Sequence, residues 1–299
     1  CLSMTLHPYV TAVIAELIFG FSFMFTKGAL NFVTPNQLLA FRFMIAALTM
    51  TLLWALRIIK VDLRGRALGG ILALAVVQPV LYFFCETIGV NLTTSSEAGL
   101  MIALIPVFVT VLAAFTLKEI PNPLQVGFIL LSVVGVGFII LGGKKVSTSG
   151  QTFGLAALLG AVIAAAIYNI LSRRLSTQFR PVELTFVMMW MGALFFGGAA
   201  VIEGLSRNGT INFITLLRVE EVRTAVLYLG IFSSVVAFFG MNYSLSKIEA
   251  SRNAVFANLS TVVAVIAGVC FRGEPFYWYH LVGGILILIG VWGTNRFSY

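Results

Sequence analysis

Thr116–Pro121 reads TLKEIP, and Phe271–Phe276 reads FRGEPF. Each stretch leaves a long apolar run, carries one glutamate and one proline, and opens onto another apolar run. The two glutamates, Glu119 and Glu274, stand 155 positions apart. Moving the second stretch back by that interval brings further landmarks into register. Phe238-Phe239 falls on Phe83-Phe84, Ser251 on Ser96, Leu259 on Leu104, and Gly290-Val291 on Gly135-Val136. Identities are few, and the shared order of features is more telling. An aromatic pair, a polar break, an apolar run, an acidic hinge and a glycine-bearing run follow one another twice.

The earlier parts of the halves align with a shorter interval. TPNQLL at 34–39 matches RPVELT at 180–185, with Pro35 and Pro181 146 positions apart. The nine-residue difference between the intervals is an insertion, which the long gap at 205–222 can absorb. The chain therefore reads as two related halves, residues 1–145 and 151–299.

Composition says what the halves are made of. The 299 residues are 60% hydrophobic and 10% charged, with mean hydropathy +1.02. Soluble domains carry roughly a quarter charged residues, so a bilayer is the solvent this surface needs. A spanning helix takes about 20 mostly apolar residues. Ten runs qualify, near 9–28, 38–57, 68–90, 97–117, 124–142, 153–172, 184–204, 223–245, 251–271 and 279–296. Barrel strands would be shorter and would alternate in polarity. Five spans per half is an odd number, so the second half enters the membrane from the opposite face. The expected fold is all-α and integral to the membrane, with ten transmembrane helices as two inverted five-helix repeats.

Lys and Arg between the spans set orientation. With the N-terminus inside, the cytoplasmic loops hold Arg57, Lys60, Arg64, Arg66, Lys118, Arg173, Arg174, Arg180, Lys247, Arg252 and Arg296. The outer loops hold Lys27, Lys144, Lys145, Arg207, Arg218, Arg223 and Arg272. The bias predicts both termini cytoplasmic. The net charge of +8 is spread through these loops rather than gathered in a nucleic-acid patch. Cys1, Cys85 and Cys270 are scattered, and His7 and His280 are the only histidines. No metal site or disulfide framework is expected. The first apolar run reads as a retained helix rather than a cleaved signal.

Two local readings follow from residue chemistry. A carboxylate near a helix N-terminus meets exposed N–H groups and the helix dipole, and Pro121, Pro123 and Pro275 suit helix starts. Glu119 and Glu274 are therefore expected to be structural. Charges inside spans are costly, at roughly 2.5–3.5 kcal/mol near the bilayer centre. Glu16, Arg42 and Glu86 lie in the first three spans. Either Arg42 pairs with one of the carboxylates to fix packing, or Glu16 or Glu86 lines a pathway and holds an amino group or a proton. Gln78, Tyr82 and Glu86 are spaced by four and share one helical face. Pro79 beside Gln78 frees a backbone carbonyl, which only protein or a cavity can satisfy. Tyr168 and Asn169 in the sixth span, Asn242 in the eighth, and Asn253 and Asn258 in the ninth are further candidates, each able instead to hydrogen-bond a neighbouring helix. Small residues at 156, 160 and 164 allow close helix packing.

The run LLAFRFMIAAL in the second span, with KEIP…LQVGFILLSVVGVGFIILG beside GEPFYWYHLVGGILILIGVWG, resembles the drug/metabolite transporter superfamily, EamA type, over essentially the whole chain. The resemblance implies a multi-pass carrier of the bacterial inner membrane that works by alternating access and exports amino acids or related metabolites. It also implies a central cavity bordered by the first, third, fourth, sixth, eighth and ninth helices. Glu16, Gln78, Tyr82, Glu86, Tyr168, Asn169, Asn242 and Asn258 are the substrate-binding candidates, with a proton or another ion as coupling partner. The chain departs from symmetry where Arg42 is met by Met188. No cofactor is expected, the protein is expected to act as a monomer among lipids, and it is not read as an enzyme. The alternative of a lipid-modifying membrane enzyme needs clustered His, Asp or Ser at an interface. A channel needs rings of filter residues. Neither pattern is present in the sequence.

Overall fold

The computed structural model describes residues 7–117, 122–142, 149–206, 216–254 and 256–297, and among these every regular element is helical. The helices are α1 (Pro8–Ala29), α2 (Pro35–Ala55), α3 (Gly69–Leu92), α4 (Ser95–Ile102 with Ile105–Leu117) and α5 (Pro123–Gly142). The second half gives α6 (Ser149–Leu175), α7 (Pro181–Ser206), α8 (Glu220–Lys247), α9 (Ala250–Ala254 with Ala257–Arg272) and α10 (Trp278–Arg296). Seven helical stretches are long and apolar enough to cross a membrane, and α5, α9 and α10 supply three shorter apolar helices. Large apolar side chains stand on the outer faces of the helices, with Leu194, Ile202, Leu52 and Trp292 each well exposed. Such a surface is stable only against other apolar matter.

Local starts and breaks recur at the intervals found in the sequence. At α2, Thr34 N–H donates to Gln37 Oε1 at 3.0 Å, and Gln37 N–H donates to Thr34 Oγ1 at 3.3 Å, a capping box with Pro35 in the first turn. At α7, 146 residues on, Arg180 N–H donates to Glu183 Oε2 at 2.8 Å. At α5, Asn122 N–H donates to Gln125 Oε1 at 2.9 Å, and at α10, 155 residues on, Tyr277 N–H donates to His280 Nδ1 at 3.3 Å. The third and eighth helices loosen at matching places, with π-helical turns at Val76–Leu81 and Tyr228–Ala237. In the first of these, Pro79 disfavours helical angles at the residue before it. Gln78 is accordingly extended (φ −144°, ψ 113°), and the Gln78–Pro79 peptide bond is cis.

Helix packing follows the same exchange. α1 packs on α8 and α9, while α6 packs on α3 and α4; α2 packs on α7, α5 on α10, and α4 on α9. Swapping the halves exchanges α1–α8 with α6–α3 and α1–α9 with α6–α4, and returns the other three pairs to themselves. The α5–α10 contact shows it at atomic scale. A Cβ on Gly135 would lie 2.7 Å from the Gly283 carbonyl oxygen, and a Cβ on Gly290 would lie 2.6 Å from the Phe128 carbonyl oxygen. Gly283 and Gly290 each stand 155 positions after Phe128 and Gly135. Glycine is required here by backbone approach. Gly283→Val is expected to destabilise the protein by about 1–3 kcal/mol through overpacking. Gly127→Ala, on the same α5 with nothing within 4 Å of the added Cβ, is expected to be near neutral. Thermal unfolding of the two variants in detergent checks the contrast.

The acidic hinge works across helices. Gly273 adopts the left-handed conformation (φ 63°, ψ 30°) that commonly ends a helix. The chain then turns so that Glu274 reaches α4, not the following α10. Its carboxylate accepts Ser95 N–H at 2.8 Å, Ser96 N–H at 2.9 Å and Ser96 Oγ–H at 2.9 Å. Glu274 thus meets free N–H groups at the start of α4 and not at the following helix start that its position in the sequence suggests. Glu119 lies outside the described residues.

Candidate functional site

A buried cavity lies where α1, α3, α4, α6, α8 and α9 converge, the six helices that the sequence resemblance implies. About 50 Å³ of it is open to the centre of a water-sized sphere, room for a few waters at roughly 10–15 Å³ each. α1 contributes Glu16, Phe19, Ser22 and Phe23, and α3 contributes Gln78, Tyr82, Phe83 and Glu86. Tyr168 and Asn169 come from α6, Phe238 and Met241 from α8, and Ser260 from α9. The spacing of four brings Gln78, Tyr82 and Glu86 to the same wall even though the π turn interrupts regular α-helix between them.

The polar atoms on this wall are mostly acceptors. Glu16 is 3% exposed and faces Ser260, and Glu86 is 1% exposed and accepts Thr87 Oγ1–H at 3.2 Å. Gln78 Oε1 and Asn169 Oδ1 are buried without a hydrogen-bond partner, while Asn169 Nδ2 donates to the Ala165 carbonyl at 2.8 Å. Buried polar atoms left unpaired are uncommon in folded proteins. Two carboxylates and two amide carbonyls set among Phe19, Phe23, Phe83 and Phe238 suit a donor-bearing cation with an apolar body.

Among the described residues Arg42 forms no ion pair with Glu16 or Glu86, one of the two readings left open for these charges. Its Nε donates to Ser234 Oγ at 2.9 Å and its Nη2 donates to Ser233 Oγ at 2.8 Å, both on the π turn of α8. Its Cζ sits 4.1 Å from the centroid of the Phe83 ring and 5.7 Å from that of Phe43. The charge is held by hydroxyls and ring faces, and it acts on Glu86 electrostatically without contact. Met188, the counterpart of Arg42, lies against Asn242, with Nδ2 to Sδ at 3.7 Å.

Two candidates are not on the cavity wall. Asn242 is a packing hub: Oδ1 accepts Tyr168 Oη–H at 2.9 Å and Ser172 Oγ–H at 2.8 Å, and Nδ2 donates to Thr185 Oγ1 at 3.0 Å. Its capacity is spent on joining α6, α7 and α8. Asn258 is half-buried on α9, beside the cavity residues Ala257 and Ser260 but outside the lining. Asn253 is likewise engaged, accepting Ser244 Oγ–H. Ser260 and the aromatic residues of α1 and α8 line the cavity without having been singled out, since nothing in their spacing separates them from ordinary core. Glu97 was not singled out either, although the Thr94-to-Glu97 spacing of a capping box could have marked it: Glu97 N–H donates to Thr94 Oγ1 at 3.0 Å. No group of three or more His, Cys, Asp or Glu able to hold a metal ion occurs among the described residues.

Comparison with known proteins agrees with this arrangement. The model of the EamA-like transporter family matches the chain twice, over residues 7–141 and 152–296. The chain is 37% identical over 288 residues to the uncharacterized transporter YcxC of Bacillus subtilis (strain 168), covering 96% of this chain and 92% of that one. It is 24% identical over 206 residues to a probable terminal-alkyne amino-acid exporter of Streptantibioticus cattleyicolor, covering 68% of this chain and 64% of that one. A crystal structure 18% identical in sequence shares the fold, with a TM-score of 0.67 over 97% of this chain and 98% of the other. With apolar helices throughout and a family match to each half, this chain is a multi-pass integral membrane protein and belongs to the EamA-like transporter family.

Proposed function

We infer that the protein is a secondary carrier of the bacterial plasma membrane that exports small amine-bearing metabolites, amino acids among them, by alternating access of two inverted five-helix repeats. The observation that carries this reading is the acceptor-rich cavity, where Glu16 and Glu86 are buried without an ion-pair partner among the described residues. A cationic amine restores the lost solvation of these carboxylates, and a proton is the competing occupant. The paired family matches, matched helix starts and exchanged packing support the repeat. Two termini on the cytoplasmic face follow from the loop charges. The name carried by the Streptantibioticus relative favours export and an amino-acid solute. The small size of the cavity means that a solute enters through another arrangement of the same helices.

Ligand stabilisation tests the chemistry directly. Amino acids with apolar side chains are expected to raise the unfolding temperature in detergent, since a ligand that binds only the folded state stabilises it. Their N-acetyl derivatives, which lack the cation, are expected to leave it unchanged. Equal stabilisation by both series would remove the assigned role of the carboxylates.

A further inference from the structure

Lys27 lies at the end of α1, where the helix gives way to a loop, and its Nζ reaches the end of α3. It donates to the carbonyls of Val90 at 2.9 Å, Asn91 at 3.0 Å and Thr93 at 2.5 Å. The last carbonyls of a helix have no partners within it, and a cation there also meets the negative end of the dipole. Arg173 lies near the end of α6 and does the same to α8: its Nη1 donates to the Leu245 carbonyl at 2.9 Å. Arg173 follows Lys27 by 146 positions and Leu245 follows Val90 by 155, the two intervals that align the halves. The same bond is therefore made in each half, and the inversion of the halves puts the two copies at opposite faces of the membrane.

The surroundings of the two bonds differ. Beside Lys27, the Glu274 carboxylate holds the start of α4 through Ser95 and Ser96. Glu97 Oε1 accepts Gln151 Nε2–H at 2.7 Å and stands 3.5 Å from His280 Nε2, so that α4, α6 and α10 are tied together. The charges of Glu97 and Glu274 both act on Lys27. That end is closed by a dense network. At the Arg173 end the bond to Leu245 is also in place, and a pocket of about 400 Å³ lies beside it among Arg66, Gln178, Arg180, Tyr243 and Lys247, sharing no lining residue with the central cavity.

We propose that Lys27 and Arg173 are the paired gate residues of the transport cycle. Each closes its own end of the cavity by docking on the carbonyl terminus of the third helix of its half, and each lets go when that end opens. This rests on the inverted-repeat reading, and the test below needs no transported solute, so a failure of the gates is distinguishable from a failure of the substrate assignment.

The test places one reporter cysteine on the cavity wall, Ser22→Cys, in a chain with Cys1, Cys85 and Cys270 replaced by serine. A membrane-impermeant, charged thiol reagent is applied from either face, to whole cells and to inverted vesicles. Lys27→Met is expected to raise labelling from the Lys27 face relative to the Arg173 face by about tenfold, the scale of one charge-assisted hydrogen bond. Arg173→Met is expected to move the ratio as far in the opposite direction. Lys27→Arg and Arg173→Lys, which keep a cation, are expected to stay near the native ratio. If Lys27→Met does not fold, Lys27→Gln, which keeps a donor, reads the same shift at smaller size. Both Met variants moving the ratio in one direction, or neither moving it, would overturn the proposal.

Discussion

Replacing Arg42 with alanine is expected to lower the stability of the folded chain by about 3–5 kcal/mol. Arg42 is 1% exposed and is among the largest fully buried side chains of the molecule. Three losses combine. Ser233 and Ser234 on α8 lose their donors, which leaves buried hydroxyls unmatched. Phe83 and Phe43 lose the guanidinium stacked on them and face a void. Glu86 loses the nearby positive charge that offsets its own burial. Arg42→Lys keeps the charge but not the planar fork that serves two hydroxyls and two rings at once, and it is expected to fall between alanine and the native chain. Thermal unfolding in detergent orders the three. Arg42→Ala as stable as Arg42→Lys would mean that the charge is not the element holding α2 to α3 and α8.

The second large effect is on transport. Glu86→Gln keeps the size of the side chain and removes its charge, and Glu16→Gln does the same on α1. Each is expected to raise the half-saturating concentration of an amine solute by about tenfold to a hundredfold, the scale of one charge-assisted hydrogen bond. Where flux follows an imposed pH gradient, the variant that loses this response marks the carboxylate that carries the proton, and the other variant is expected to keep it. Flux in proteoliposomes with and without the gradient separates the two carboxylates. Neither variant changing affinity would reduce both residues to packing groups.

The all-helical membrane architecture was legible because membrane spans announce themselves by composition. The Thr34 and Arg180 helix starts, and the Gly135 and Gly290 contacts, fall at intervals that could be counted before any coordinates. The cavity was legible in part. Glu16 and Glu86 stand out because charge inside a span is costly wherever it points. Neutral amides do not: Gln78, Asn169 and Asn242 look alike in sequence, yet Asn242 is saturated by three neighbours while Gln78 and Asn169 each present an unpaired oxygen. Pairing was the least legible. Two nearby carboxylates made an ion pair for Arg42 one of two open readings, but its partners are serines 191 and 192 positions away. The reach of Glu274 to α4 rather than α10 likewise depends on how the chain folds back after Gly273, which spacing along the sequence does not record.

Counterflow of labelled amino acids into proteoliposomes loaded with the unlabelled compound tests the central claim most directly, with the N-acetyl derivative of each amino acid as its control. Accelerated entry of amine-bearing solutes, absent for the N-acetyl forms and weakened in Glu86→Gln, is the expected result. No exchange across the amine panel, or exchange of amine and N-acetyl forms alike, would contradict a carrier whose buried carboxylates recognise the cationic end of its solute.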